Sequence, residues 1–270
     1  MSFKKIQVIL IFCTILPLQA FAADSLSIGQ LFHQQTSSDS AGLKATSPMF
    51  GEEIPLYKQL EWNMKVALPV PRLSAQMSLS EAIDRRASNR NFSDRHITLT
   101  ELSRLLISAD GITHGSANSA RRAAPSAGAL YPIEIYLVVT NVDSLPPGLY
   151  HFDVSDTSLQ FLKAGDFGHQ LQIAANGQQS IGKAPVALVF TSRFARVTHK
   201  YADRGYRYAY MEAGAIAENV YLQSTALGLG TVLAGAFNDD AVNAILGIDG
   251  KDEAALIIMP VGQPAGENVE

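Results

Sequence analysis

Two guanidinium groups and a hydroxyl lie within five residues of this sequence, at Arg86, Ser88 and Arg90. A guanidinium offers planar, permanently charged donors that suit phosphate oxygens, and a serine hydroxyl adds one more donor. The segment could therefore bind a phosphate-bearing ligand. The alternative is a solvated helix end, because positive charge is favoured at helix C-termini, and on this segment alone the alternative is favoured.

Two further segments contain small residues of the kind found where a backbone approaches a flat or close partner. The first, 125–132, reads PSAGALYP and leads directly into a predicted strand. The second, 228–240, reads GLGTVLAGAFNDD and follows a long helical pattern. Small residues permit a close approach, but they also occur in ordinary turns, so both interpretations stand for each segment taken alone.

Local patterns predict the elements that position these segments. Capping boxes at 78–81 and 98–101 begin two helices, and the second helix carries an apolar stripe at i, i+3, i+4 and i+7. A mostly apolar stretch, 207–227, predicts a long, central and buried helix. Other helices are predicted at 166–176 and 239–246, and strands at 133–140, 149–152, 159–162, 185–191, 231–234 and 255–261.

The order of these elements predicts the fold class. Helices alternate with strands along much of the chain, but a hairpin near residue 155 interrupts the alternation. We therefore expect an α+β fold with a central mixed sheet flanked by helices.

Composition limits the classes of function. With 270 residues, 47% of them hydrophobic, the chain can form one large domain or two small ones. A formal net charge of −4 gives no support for nucleic-acid binding. The sequence has no G-x-S-x-G motif, no Gly-rich phosphate loop and no histidine pair at metal-binding spacing, so neither a hydrolase nor a metal site is predicted.

The N-terminus predicts export. Lys4 and Lys5 precede an apolar stretch, 6–16, that is too short to span a bilayer comfortably. Ala20-Phe21-Ala22 then fits a cleavage site, so residues 1–22 are predicted to be a secretory signal peptide. An uncleaved membrane anchor is the alternative. The protein is expected in the periplasm or another extracytoplasmic space.

Removal of this signal peptide also removes the only cysteine, Cys13. The mature chain then has no disulfide and no cysteine nucleophile. Residues 23–77 are rich in polar and small residues, so we expect a partly disordered arm or an arm that wraps a partner subunit. Residues 78–270 are expected to form the ligand-binding domain.

Taken together and in this order, the three segments resemble the FMN-dependent nitroreductase superfamily, and most closely its SagB/ThcOx-type dehydrogenases, which oxidise azoline rings in modified peptides. The similarity runs from Leu79 to Pro264 and includes the stretches RASNRNF, TLTELSRLL, PSAGALYPIEIYLVV, PGLYHFD, YRYAYMEAGAIAENVYLQSTALGLGTVLAGAFND and MPVGQP. Each stretch alone is a weak motif, whereas all of them at family-like spacing are specific. The resemblance implies a three-layer fold and an intertwined homodimer with FMN at the subunit interface.

The resemblance implies that the arginine-rich segment binds FMN. Arg86 and Ser88 correspond to ligands of the phosphate and the ribityl chain. Arg90 corresponds to a cation near the pyrimidine edge of the flavin, where it would stabilise the reduced, anionic ring. Gln263 stands where relatives often carry a basic residue that reaches the phosphate. Three other cations could compensate for it: Arg121, Arg122 and Arg207.

The other two segments correspond to the walls around the flavin ring. Pro125-Ser126-Ala127 corresponds to a loop that reaches the flavin from the second subunit, and Gly235-Ala236 to a backbone donor for flavin N5. Tyr131 is a candidate catalytic residue, and it could line the substrate space with Tyr206 and Tyr208, although all three could equally be packing residues. Relatives that oxidise azolines are thought to use a Lys/Tyr pair as base, and Lys200-Tyr201 is the candidate here.

The sequence thus predicts an exported FMN-dependent oxidoreductase that transfers hydride between a small-molecule or peptide substrate and flavin N5. Because nicotinamide dinucleotides are scarce outside the cytoplasm, the substrate is expected to be the hydride donor, with oxygen or a quinone as the final acceptor. Alternatively, a membrane redox partner supplies the electrons. The competing hypothesis is a flavin-free, non-catalytic binding protein that has kept the fold.

Overall fold

The computed structural model describes residues 27–39, 42–43, 54–70, 77–115 and 120–266, and the predicted signal peptide lies outside these residues. The helices are α1 (Ile28–Gln35), α2 (Leu79–Arg85), α3 (Leu99–Asp110), α4 (Gly168–Ala174), α5 (Gln179–Lys183), α6 (Ala195–Tyr201), α7 (Arg204–Ala226) and α8 (Asp239–Leu246), with a 3-10 turn at Ala127–Ala129. The strands are β1 (Ser38–Asp39), β2 (Gly42–Leu43), β3 (Met64–Ala67), β4 (Ile112–His114), β5 (Arg121–Arg122), β6 (Ile133–Val139), β7 (Gly148–Asp153), β8 (Ser158–Ala164), β9 (Val186–Arg193), β10 (Gly230–Thr231) and β11 (Glu253–Gly262). Within this described part, no helix is both long enough and apolar enough to cross a membrane.

Seven strands form one sheet in the order β10-β11-β9-β6-β7-β8-β3. The α+β class is confirmed, but the expected mixed sheet is corrected, because each neighbouring pair is antiparallel. Strands β9 and β10 do run in the same direction, since α6 and α7 carry the chain back along the sheet. Strand β11 lies between them and is antiparallel to both, so they do not pair.

The sheet has a hydrophobic cluster on each face, which gives the three layers expected. Odd-numbered residues of β6, such as Ile135, pack with Leu105 of α3 and Ile216 of α7. Tyr136 and Val138 of β6 pack with α4 and α8 on the opposite face. Every residue of β6 is therefore buried, as is typical of a central strand covered on both sides.

The helices with predicted capping boxes begin at the predicted capping residues. The Thr98 hydroxyl accepts from the Glu101 N–H, and the Glu101 carboxylate accepts from the Thr98 N–H, which completes the capping box of α3. Helix α7 begins three residues before the predicted start. It buries one face only, because Tyr210 and Met211 are 51% and 67% exposed.

Residues before position 78 contribute to the fold more than the sequence suggested. Strand β3 pairs with β8 and so forms one edge of the sheet. Lys58 reaches Glu253 at 2.5 Å. Helix α1 is tied to α7, because Arg204 and Arg207 each donate a 2.6 Å hydrogen bond to Thr36. Strand β3 thus joins the sheet although it precedes the expected domain boundary at 78, which stays a prediction, and residues 23–26, 40–41, 44–53 and 71–76 of the predicted arm lie outside the described residues.

Candidate active site

One cluster of polar groups joins the arginine-rich segment to the turn after β10. The hydroxyl of Tyr221, in α7, lies 3.1 Å from Ser88 Oγ and accepts from the Leu233 N–H at 2.7 Å. The Asn89 N–H donates to the Thr231 carbonyl at 2.9 Å, and Ser88 forms a parallel bridge with Thr231. Two segments that the sequence assigned to one ligand are therefore adjacent.

The cations of this cluster differ in how they are paired. Arg85 forms an exposed i,i+4 ion pair with Glu81 at 2.7 Å, so the solvated helix-end interpretation fits Arg85. Arg86 lies over the Tyr221 ring at 5.2 Å from its centre. Neither Arg86 nor Arg90 forms an ion pair within the described ranges. Their positive charge beside Ser88 is available to an anion such as a phosphate.

The glycines near this cluster differ in how much free space surrounds the position of a Cβ atom. A Cβ on Gly230 would lie 2.8 Å from the Asn89 Cβ, and one on Gly262 would lie 2.9 Å from the Phe92 ring, so packing requires both glycines. A Cβ on Gly235 would meet no atom within 4 Å, and Gly235 and Ala236 are exposed. An open backbone two residues beyond the Tyr221–Leu233 hydrogen bond fits the approach of a flat ring.

The cation that contacts Gln263 is not one of the three that the sequence suggested. Its backbone carbonyl accepts from the Ser93 N–H at 2.9 Å. Its side-chain oxygen accepts from Arg95 Nε at 3.3 Å, and Arg95 also pairs with Glu101 at 2.6 Å. Arg95 thus places a positive charge beside Gln263, although that charge is shared with Glu101.

Two of the cations expected to compensate for Gln263 are used elsewhere, which corrects that expectation. Arg122 forms a buried ion pair with Asp110 at 2.7 Å. Arg207 binds the end of α1 through Thr36. Arg121 is exposed in β5.

A second cluster brings the candidate Lys/Tyr pair to the loop 125–132. Lys200 and Tyr201 end α6. Gly128 has φ of +64°, and a Cβ there would lie 2.8 Å from the Tyr201 hydroxyl and 3.0 Å from Lys200 Nζ. Glycine suits this position, because a Cβ would crowd both side chains and disfavour the positive φ. The pair therefore lies beside Pro125-Ser126-Ala127, some seventy residues away in sequence.

Tyr131 supports this loop from the inside, and its catalytic role stays a prediction. Its side chain is 5% exposed, and its hydroxyl accepts from the Arg122 N–H at 3.3 Å. Its N–H donates to Ser126 Oγ at 2.8 Å, and its carbonyl accepts from Arg196 Nη1 at 2.9 Å. A residue buried and bonded in this way helps to fix the conformation of the loop.

The other two tyrosines differ in what they contact. Tyr206 packs on Phe194, with ring centres 4.5 Å apart, and is a packing residue. Tyr208 packs edge-on against Tyr201 at 4.9 Å, so it lies beside the candidate catalytic pair.

Helix α7 connects the two clusters. Tyr221 belongs to the first, and Glu212, which lies near Ser126, to the second. Nine residues separate them, or about 14 Å along the helix axis. Within the described residues, no group of three or more His, Cys, Asp or Glu side chains could hold a metal ion.

Sequence reasoning missed three residues of these clusters, Arg95, Glu212 and Tyr221. Glu212 and Tyr221 did carry a signal, because each places a polar group on the buried face of a mostly apolar helix. Arg95 carried none, because its contact with Gln263 spans 168 residues.

Comparison with known proteins gives the family. The sequence profile of the nitroreductase family matches residues 83–263. A protein of Methanocaldococcus jannaschii, named as a candidate nitroreductase, is 39% identical over 188 residues, which are 70% of this chain and 92% of that protein. The microcin B17-processing protein McbC of Escherichia coli is 28% identical over 233 residues, 81% of this chain and 85% of McbC.

A solved structure agrees with this assignment. The crystal structure of a candidate nitroreductase from Ralstonia eutropha superposes with a TM-score of 0.65 at 27% identity, covering 79% of this chain and all of that one. Because the family profile spans well over half of the chain and the fold agrees, this protein belongs to the nitroreductase family.

Proposed function

We propose that this protein is an exported, homodimeric, FMN-dependent oxidoreductase of the SagB/ThcOx type. It would transfer hydride from a small-molecule or peptide substrate to flavin N5. Membership of the nitroreductase family supports a flavin oxidoreductase in general. The similarity to McbC, a microcin-processing protein, supports a peptide substrate.

A single observation carries the proposal. The Tyr221 hydroxyl contacts Ser88 and the Leu233 amide, beside two cations without a carboxylate partner in the described ranges and an open glycine backbone at Gly235. This arrangement combines donors for a phosphate with space for a flat ring. A chain that only kept the fold would have no reason to hold unpaired cations here.

Each cluster then has a separate task. Arg86, Arg90 and Ser88 would hold the phosphate-bearing part of the cofactor, and the backbone at Gly235 would face its ring. FMN, when bound, supplies a two-electron acceptor at N5. Lys200 and Tyr201 would receive the proton that the substrate releases as it gives up hydride. Lys200 Nζ lies 5.5 Å from the centre of the Tyr201 ring, so the two side chains can act at one place.

A homodimer would bring the two clusters of different subunits together. Exposed apolar side chains on α2 and α7 support an interface there: Leu79, Ile83, Tyr210 and Met211. Large exposed apolar patches of this kind are typical of protein contacts. Light scattering of the purified protein tests this, because a monomer at all concentrations would contradict it.

Export is proposed from the N-terminal sequence alone. Oxygen or a quinone would then accept the electrons. Cell fractionation, with N-terminal sequencing of the purified protein, tests the cleavage after Ala22. A cytoplasmic protein that keeps Met1 would contradict it.

The decisive experiment is a flavin titration of the purified protein followed by anaerobic reduction. We expect the yellow colour of bound FMN, and bleaching by an azoline-containing peptide rather than by NADPH. Failure to bind added FMN would instead support the flavin-free alternative. Binding with turnover by NADPH at rates of roughly 1 per second or faster would keep the oxidoreductase but contradict the proposed hydride donor.

A further inference from the structure

Helix α7 buries a carboxyl group, that of Glu212, close to the Ser126 hydroxyl. Glu212 is 3% exposed, and neither of its carboxyl oxygens has a hydrogen bond of good geometry in the described part of the chain, although the Ser126 hydroxyl lies nearby. Its neighbour Met211 is 67% exposed, and Glu218 is exposed on the same helix. A buried polar group without a partner is costly, so packing alone does not account for it.

The cations near Glu212 are already paired with other carboxylates. Arg122 pairs with Asp110 at 2.7 Å, and Arg196 lies 2.7 Å from Glu134. Neither of these two arginines forms its ion pair with Glu212. A carboxyl group in this position favours its neutral form, because an ionised one would be both buried and unpaired.

The electrostatics of the site agree with that geometry. Burial raises the pKa of Glu212 to about 8, opposed in part by the nearby Ser126 hydroxyl. Repulsion by Asp110 raises the pKa further, whereas Arg122 and Arg196 lower it. Other titratable groups on the segments that carry these residues include Glu101 in α3, Tyr131 in the loop, Glu134 in β6, His199, Lys200 and Tyr201 in α6, and Tyr206, Tyr208, Tyr210, Glu218 and Tyr221 in α7.

Ser126 connects this carboxyl group to the loop. Its Oγ accepts from the Tyr131 N–H at 2.8 Å, so its own hydrogen is free to be donated. Two residues further on, Gly128 lies against Lys200 and Tyr201. The loop therefore has Glu212 near one end and the candidate catalytic pair at its turn.

We propose that Glu212 is a positioning residue, which as a neutral carboxylic acid supports Ser126 and holds the loop 125–132 against Lys200 and Tyr201. Ionisation places a charge among groups that are already paired, so the carboxylate must gain water, and the loop opens to admit it. The inference rests on the proposed function only in treating this loop as part of the active site.

The test measures the loop and the carboxyl group directly, in the protein without flavin. Glu212→Gln keeps the shape and stays neutral, and Glu218→Gln makes the same change on the exposed face of α7. Infrared spectra from pH 5 to 9 follow the protonated carboxyl band. Hydrogen exchange of the amides in 126–131, corrected for the chemical rate, follows loop opening.

We expect part of the protonated carboxyl band near neutral pH to be lost in Glu212→Gln and kept in Glu218→Gln; the remainder belongs to Asp110, because burial raises the pKa of Asp110 to about 7. Opening of the loop should increase by up to about tenfold per pH unit as the pH rises towards 8 and then level off. This increase should be present in Glu218→Gln and absent in Glu212→Gln. Loop exchange that does not depend on pH, or that depends on it equally in both variants, would overturn the proposal.

A second variant covers the case in which Glu212→Gln does not fold. Ser126→Ala removes the hydroxyl and leaves Glu212 in place, so the loop should open more readily even at pH 6. Unchanged loop exchange in Ser126→Ala would also refute the proposal. Because neither readout uses FMN, failure of the flavin titration would not be confused with either outcome.

Discussion

Tyr221 gives the sharpest test of the candidate cofactor site, because one hydroxyl connects two segments. It lies 3.1 Å from Ser88 Oγ and accepts from the Leu233 N–H at 2.7 Å. Tyr221→Phe keeps the ring, and with it the contact with Arg86, but removes both hydrogen bonds. Each is worth about 0.5–1.5 kcal/mol, so the free energy of unfolding should fall by about 1–3 kcal/mol.

The same change should weaken FMN binding more than its effect on stability alone would suggest. Without the hydroxyl, Ser88 and the turn before Gly235 are no longer held in register, and a loss of about 1.4 kcal/mol in binding raises the Kd about tenfold. Isothermal titration with FMN measures this Kd, and urea denaturation measures stability.

Tyr150→Phe is the matched control for this experiment. Tyr150 is fully buried, and its hydroxyl donates to the Pro146 carbonyl at 2.6 Å, a group that belongs to neither cluster. This variant should lose about 1 kcal/mol of stability with no change in the Kd for FMN. Equal FMN affinities in Tyr221→Phe and Tyr150→Phe would refute the assignment of Tyr221 to the site.

Three further changes have defined outcomes. The pKa of Glu212 is raised by burial from its ordinary value of 4.5 to about 8, so between those values the folded chain holds a proton that the unfolded chain has released. The free energy of unfolding should therefore fall as pH rises through that window, by up to about 1.4 kcal/mol per unit, and equal slopes in Glu212→Gln and the unmodified chain would contradict this. Gly235→Ala should fold normally, because its Cβ meets no atom within 4 Å, yet bind FMN more weakly in the same titration; unchanged binding would place the ring elsewhere. Arg122→Leu leaves Asp110 buried without its cation and should cost about 3–5 kcal/mol in urea denaturation, whereas a loss below about 1 kcal/mol would mean that the pair is solvated.

Much of the secondary structure and the family followed from the sequence, because the signals are local. The capping box at Thr98 and Glu101 fixes the start of α3 through side-chain to backbone hydrogen bonds within four residues. The order of the arginine-rich, PSAGALYP and glycine-rich segments identified the nitroreductase resemblance. It also selected Ser88 and Lys200-Tyr201, which the structure places in the two clusters.

What the sequence could not determine depends on contacts between distant residues. The helices that connect β9 to β10 are consistent with two strands that run in the same direction. Nothing in the local sequence indicates that β11 lies between them. The sequence selects Tyr131 as a candidate catalyst but does not indicate that its ring packs under Arg122 and supports the loop. Local periodicity determines which face of a helix or strand is buried. Packing alone decides which distant side chain that face meets, and hence whether a carboxyl group such as Glu212 finds a partner.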